Sequence, residues 1–303
     1  MNIQDCLLFY DDTVTAMSRA GIIKSMPGSG LQQVIGFDRL PYPAPKSDQI
    51  ERLFDLNHEL IEQKMRQGFT QLLITPLAAP IPVLIDRLSE VIRSHARSGT
   101  IYHIKTDPTG TVTPAQVNTK APTWLWERVQ RVLDTDRVVY FPQVYTPQGH
   151  QGMSKSEAVT DRRICAIPGW SISLVEPLVF LPKAGQAEVI GGRRQLENGL
   201  SPREYLSVLS DGQYAGESGW TLEDFLTYFL IHLEKTHQVT HDRADNNALW
   251  LLGQYLPDLE KTPNLVPVGY WSSTLGKKLY LSAHRTGNHF KMCGARTMVR
   301  LPG

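Results

Sequence analysis

Two sharply written helix starts, followed by strand-like text running to residue 303, constrain the fold of this chain more than any other feature. Ser201-Pro202-Arg203-Glu204 is an S-x-x-E capping box with proline at the first helical position, where its missing N–H costs nothing. Thr221-Leu222-Glu223-Asp224 opens a second helix that carries Phe225, Phe229 and Leu233 inward. Acidic residues in both first turns also suit the positive end of the helix dipole. The apolar run ALWLLGQYL, ended by Pro257, predicts a third short helix. From Val266 onward, VPVGYW, KLYLS and GARTMVRL read as strands separated by turns. The fold class expected is α+β.

Upstream text is mixed. The first 46 residues read as turn-rich, with Pro27-Gly28-Ser29-Gly30 and then an extended connector at LPYPAPK. One helix is predicted from Ser47 to Gly68, with Ile50, Leu53, Phe54, Leu60, Ile61 and Met65 at helical spacing. FTQLLIT follows as a buried strand. A second helix is predicted from about Pro82 to the residue before Gly99, with Leu84, Leu88, Val91 and Ile92 on one face. TIYHIK and VVYF read as strands, with a turn at Asp107-Pro108-Thr109-Gly110 between them. WSISLVEPLVFLP reads as strands broken at Pro177 and Pro182. The division expected is a mixed αβ N-terminal region over 1–155 and a second domain over 156–303.

Charge and motifs narrow the function. Lys plus Arg number 31 against 30 Asp plus Glu, so no global basic field draws the chain to nucleic acid. Cys6, Cys165 and Cys293 lie far apart with no CxxC pair, against a disulfide framework or a cysteine zinc site. No apolar run reaches transmembrane length, and MNIQDCLLFYDD lacks the basic start of a signal peptide. The expectation is a protein soluble at synthesis in the cytoplasm, with no membrane insertion. No P-loop, G-x-G-x-x-G, G-x-S-x-G or HExxH motif is present. Asp11 and Asp12 diverge as chain neighbours, so they make a poor carboxylate pair. His232, Glu234, His237, His241, Asp242 and Asp245 crowd fourteen residues, yet only His237 and His241 keep the i, i+4 spacing that shares a metal on one helix face. Cys165 and Cys293 read as small buried hydrophobes. The expectation is therefore no enzyme, no cofactor and no metal.

Residues 261–303 contain no Asp or Glu but carry Lys261, Lys277, Lys278, Arg285, Lys291, Arg296 and Arg300. Tyr270, Trp271, Tyr280, His284, His289 and Phe290 are interleaved with them. Such text suits a general binding face, because Tyr, Trp and Arg dominate interface hot spots. A nucleic-acid surface is the alternative, disfavoured by the lack of an RNP-type motif. A hydrolase built on the His232 to Asp245 cluster is a third reading.

WxxxxxxxLYLSA and GARTMVRL resemble the closing strands of C-type-lectin-fold proteins, and SPREYLSVL and GWTLEDFLTYFLIHLE resemble the two helices that precede them. Together they resemble the variable proteins of diversity-generating retroelements, in their divergent archaeal and viral subclass. The resemblance implies a C-type-lectin-like C-terminal domain and a non-enzymatic, receptor-type binding role. The partner implied is a macromolecular ligand, a protein or cell-surface target, met by a chain displayed on a cell or virion. Trp271, Leu279, Leu281, Gly294, Ala295, Arg296, Val299 and Leu301 would be its fixed scaffold. Its variable face would comprise Tyr270, Ser272, Ser273, Thr274, Tyr280, Ser282, His284, Arg285, Thr286, Asn288, His289 and Phe290. Diversification in this family falls on adenines, typically in AAY codons, and each of those twelve residues is of a type reachable that way. Lys277, Lys278, Lys291 and Met292 are not. Tyr270, Tyr280 and Phe290 would be the affinity-bearing anchors.

Overall fold

The computed structural model describes residues 3–26, 28, 30–104, 110–177, 180–259 and 262–303. The expected turns at 27–30 and 107–110, and the strand expected after Pro177, fall partly outside those residues. At the centre lies helix Leu222–Thr236, capped by Thr221, whose side chain accepts from the Asp224 N–H. It is buried on almost every side, as a helix apolar all round must be. Helices Ile3–Arg19 and Ile81–Ser98 pack against it, as do strands Gln71–Thr75 and Thr262–Ser272.

Those two strands belong to different sheets. A four-stranded sheet runs in the order Glu217–Gly219, Thr297–Arg300, Ser171–Val175, Gln71–Thr75, with every neighbour antiparallel. The larger, seven-stranded sheet is built around Thr262–Ser272, which pairs with Ala248–Trp250, Gln254–Leu259 and Lys278–Arg285. Cys293–Ala295 joins it parallel to Ala248–Trp250, and Thr123–Leu125 parallel to Lys278–Arg285. Residues 1–155 thus contribute strands to both sheets, and one hydrophobic core spans both expected regions. The class is α+β.

The start of the central helix is tied down by buried ions. Asp224 meets Arg300 at 2.6 Å, and Glu223 takes bonds from Lys155, Tyr140 and Gln254 at 2.7–2.9 Å. Burying these carboxylates is tolerable because each is paired and hydrogen-bonded.

Three local expectations are corrected. ALWLLGQYL is not a helix but strand Ala248–Trp250, a turn, and the start of strand Gln254–Leu259. Its first strand is buried on both faces, which writes a continuous apolar run that periodicity cannot distinguish from a helix. The turn-rich opening contains the seventeen-residue helix Ile3–Arg19, and LPYPAPK contributes strand Pro41–Pro43, paired with Gln32–Ile35. The single helix expected from Ser47 is two, Ser47–Leu56 and His58–Arg66, divided at Asn57. Helix Ile81–Ser98 does end on a left-handed Gly99, and both capping boxes at Ser201 and Thr221 are formed.

Candidate ligand-binding face

Strands Thr262–Ser272 and Lys278–Arg285 pair in register from Leu265↔Arg285 to Ser272↔Lys278. Successive side chains leave a strand on opposite sides, so this register sorts the candidate residues. Trp271, Leu279, Leu281 and Ala283 turn inward and are buried, with the Trp271 ring 6.3 Å from Phe229. Gly269 turns inward too, beneath Phe225, where a Cβ would come within 2.5 Å of the ring. Tyr270, Tyr280, Ser282 and His284 turn outward and stay half-buried.

The closing segment is fixed from below. A Cβ on Gly294 would meet Leu181 at 2.8 Å, so only glycine fits there without displacing a neighbour. The Arg296 guanidinium lies 5.0 Å from the ring centres of both Trp220 and Tyr228 and donates to the Glu176 carbonyl. Desolvated cation–π contacts of this kind rank among the stronger ones.

On the outer side a cleft of about 240 Å³ opens between Arg243, Tyr270, His284, Phe290 and Met292. Phe290 stacks on Trp250 at 5.6 Å and meets the His284 ring edge-on at 4.9 Å. Tyr270 stacks on Tyr280 at 5.3 Å, and Tyr280 in turn faces Trp124 at 5.5 Å. The Arg243 guanidinium lies 5.8 Å from the Tyr270 ring centre, and Lys278 Nζ lies 5.4 Å from that of Tyr280. Burial, helped by Arg243, lowers the His284 pKa and favours the neutral ring. Burial pushes the Cys293 thiol up to about 12. At that value the Cys293 thiol stays protonated and is not the nucleophilic thiolate. The arrangement suits recognition, with aromatic walls for an apolar group and a guanidinium for a carboxylate.

Two of the twelve expected face residues do not belong to the surface. Ser272 and Thr286 are 1% and 2% exposed. Ser272 folds under the hairpin turn and accepts the Leu275 N–H at 2.9 Å, while the Thr286 N–H donates to Asn264 O at 2.9 Å. Both follow the outward alternation in sequence, but each stands at a strand end where the chain bends. Thr274, Arg285 and His289 are exposed, and Ser273 and Asn288 are half-buried. They sit at opposite ends of the eight-residue strand Lys278–Arg285, about 25 Å apart at strand rise, so the face is a stripe rather than a disc.

Trp124 and Arg243 went unread in the sequence. Trp124 arrives by parallel pairing opposite Tyr280, and Arg243 by a short 3₁₀ turn capped by Asp242. Neither carries a local signal, because only tertiary pairing brings it to the face. Of the seven basic residues in the acid-free tail, Arg296 and Arg300 are interior, and Lys261 lies outside the described residues. The field left for nucleic acid is correspondingly thin.

The histidine-rich stretch does not gather on one point. Glu234 meets His95 and Arg19, at 3.2 and 2.9 Å. His237 forms the left-handed end of the central helix, and His241 is buried among Trp220, Phe225 and Tyr228. Asp242 and Asp245 instead approach His103, from strand Tyr102–Ile104. Cys165 and Cys293 are free and buried. Among the described residues no helix is long and apolar enough to cross a membrane. No family model, curated protein or solved structure matches the chain.

Proposed function

We propose that this chain is a receptor-type ligand-binding protein, a variable protein of a diversity-generating retroelement whose C-terminal stripe is its diversified face. One observation carries the reading: a single strand pair separates anchoring from display. Its inward side chains, Trp271, Leu279, Leu281 and Ala283, are at most 4% exposed; on the outward side Val266 and Val268 are buried in a second apolar cluster, Tyr270 and His284 line the outer cleft, and Tyr280 and Ser282 stand half-buried. A surface that must accept many side chains needs its backbone placed by residues other than the varied ones. Lys278, Met292 and Arg243 would be constant members of the face, framing varied neighbours.

The lectin-like fold belongs to the same proposal. In its support, helices Pro202–Val208 and Leu222–Thr236 precede the Trp271 strand, and closing strand Thr297–Arg300 returns to pair with Ser171–Val175. Ligand binding would draw affinity from Tyr270, Tyr280 and Phe290 as aromatic anchors, with Arg243 selecting a carboxylate. Sequencing the 3′ end of the gene across a population tests the diversification directly. The expected result is substitution concentrated on adenines in the codons of Tyr280, Ser282, His284, Arg285, Asn288, His289 and Phe290. A near-identical template repeat and a reverse transcriptase gene should lie nearby. A uniform 3′ end without such neighbours overturns the reading.

A further inference from the structure

We propose that His103, Asp242 and Asp245 bind one divalent transition-metal ion of the zinc class. The three residues come from two separate elements. His103 lies on strand Tyr102–Ile104, which pairs with Val112–Pro114 and is held against residues 237–239 by the Tyr102 N–H to His237 O and Val239 N–H to Tyr102 O bonds, both 2.8 Å. Asp242 and Asp245 bracket the 3₁₀ turn Arg243–Asp245. One donor atom from each of the three lies within 4.8 Å of the others.

A second observation separates this trio from an ordinary acidic cluster. Asp242 is 5% exposed, and its Oδ1 accepts the Ala244 N–H at 3.0 Å. Among the described residues its Oδ2 is buried with no hydrogen-bond partner, and so is His103 Nδ1. A buried carboxylate oxygen and a buried imidazole nitrogen left without donors are costly, and one cation between them satisfies both. Nitrogen with two carboxylate oxygens is a donor set for zinc and its neighbours, whereas calcium takes oxygen alone. Donors bound tetrahedrally at about 2.1 Å stand about 3.4 Å apart, so binding draws these atoms together by up to about 1.4 Å, with water completing the shell. The ion would clamp the strand pair Tyr102–Ile104 and Val112–Pro114 to the turn that carries Arg243 into the outer cleft.

The full chain, stripped with EDTA, is titrated with zinc against a chromophoric chelator, and thermal unfolding is followed with added zinc or calcium. The expected result is one zinc per chain and a raised unfolding midpoint with zinc but not with calcium. His103→Gln and Asp242→Asn should each weaken zinc binding at least tenfold. Asp242→Asn keeps an oxygen for the Ala244 N–H while removing the charge. Circular dichroism in EDTA identifies a variant that does not fold, and Asp245→Asn then takes its place. No stoichiometric zinc at micromolar concentration, or binding unchanged in His103→Gln and Asp245→Asn, overturns the site. Calcium binding as tight as zinc overturns the choice of metal.

Discussion

His232 and His241 are two interior imidazoles that share Arg296 as a neighbour. Burial first, and the Arg296 charge second, lower the His232 pKa to about 4 and the His241 pKa well below its ordinary value. Both are therefore neutral in the fold at pH 7 and bind a proton more readily when unfolded. Stability from this source is fully present above about pH 6.5, the unfolded histidine value, and is lost as pH falls toward 4. For His232 the loss amounts to at most about 3.5 kcal/mol, at about 1.4 kcal/mol per unit. Urea unfolding between pH 7 and pH 4 should show wild-type stability falling more steeply than that of His232→Gln. Parallel curves would mean that His232 takes up its proton as readily in the fold as in the unfolded chain. Trp271 was expected as scaffold from the resemblance and is buried, whereas alternation alone did not single it out from Tyr270 and Tyr280 in the same strands. The burial of Ser272 and Thr286 was not legible, since alternation assumes a straight strand and both lie where the chain turns away.

Helix Leu222–Thr236 rests on strand Thr262–Ser272 closely where Phe225 lies over Gly269, one turn from the Phe229–Trp271 contact. Glycine is required here for proximity, and its backbone needs no left-handed geometry. Gly269→Ala would force a methyl against the ring, and overpacking of this kind costs about 1–3 kcal/mol. Chemical denaturation should register that loss, and pairing it with Phe225→Leu should recover part of it. An unchanged midpoint in Gly269→Ala would mean that the helix sits farther from the strand than described. The two capping-box helices were legible because a cap is written within four residues. Strand Ala248–Trp250 was misread because burial on both faces erases alternation. Helix Ile3–Arg19 was missed because the prolines and glycines that follow it coloured the reading of the whole opening stretch. Trp124, Arg243 and His103 reach their places only through long-range pairing, which no local pattern encodes.

At the scale of the whole molecule, residues 1–155 complete both sheets, so the outer stripe is carried by a scaffold drawn from the entire chain. That arrangement makes the two sides of one strand pair energetically separable, and the proposed function depends on this separation. Phe290 and Tyr280 stack on neighbouring rings, so they are excluded from a test of neutrality. The decisive comparison is thermal unfolding of a variant changed together at Ser273, Thr274, Ser282, Arg285, Asn288 and His289 against Trp271→Ala. Substitutions away from caps and packing usually stay within about 0.5 kcal/mol of either sign and so partly cancel, and the sixfold variant should remain within about 1–2 kcal/mol of wild type. Trp271→Ala alone should lose about 3–5 kcal/mol, as expected on deleting a buried aromatic. A sixfold variant that loses as much as Trp271→Ala would place the stripe in the core and contradict a face free to vary.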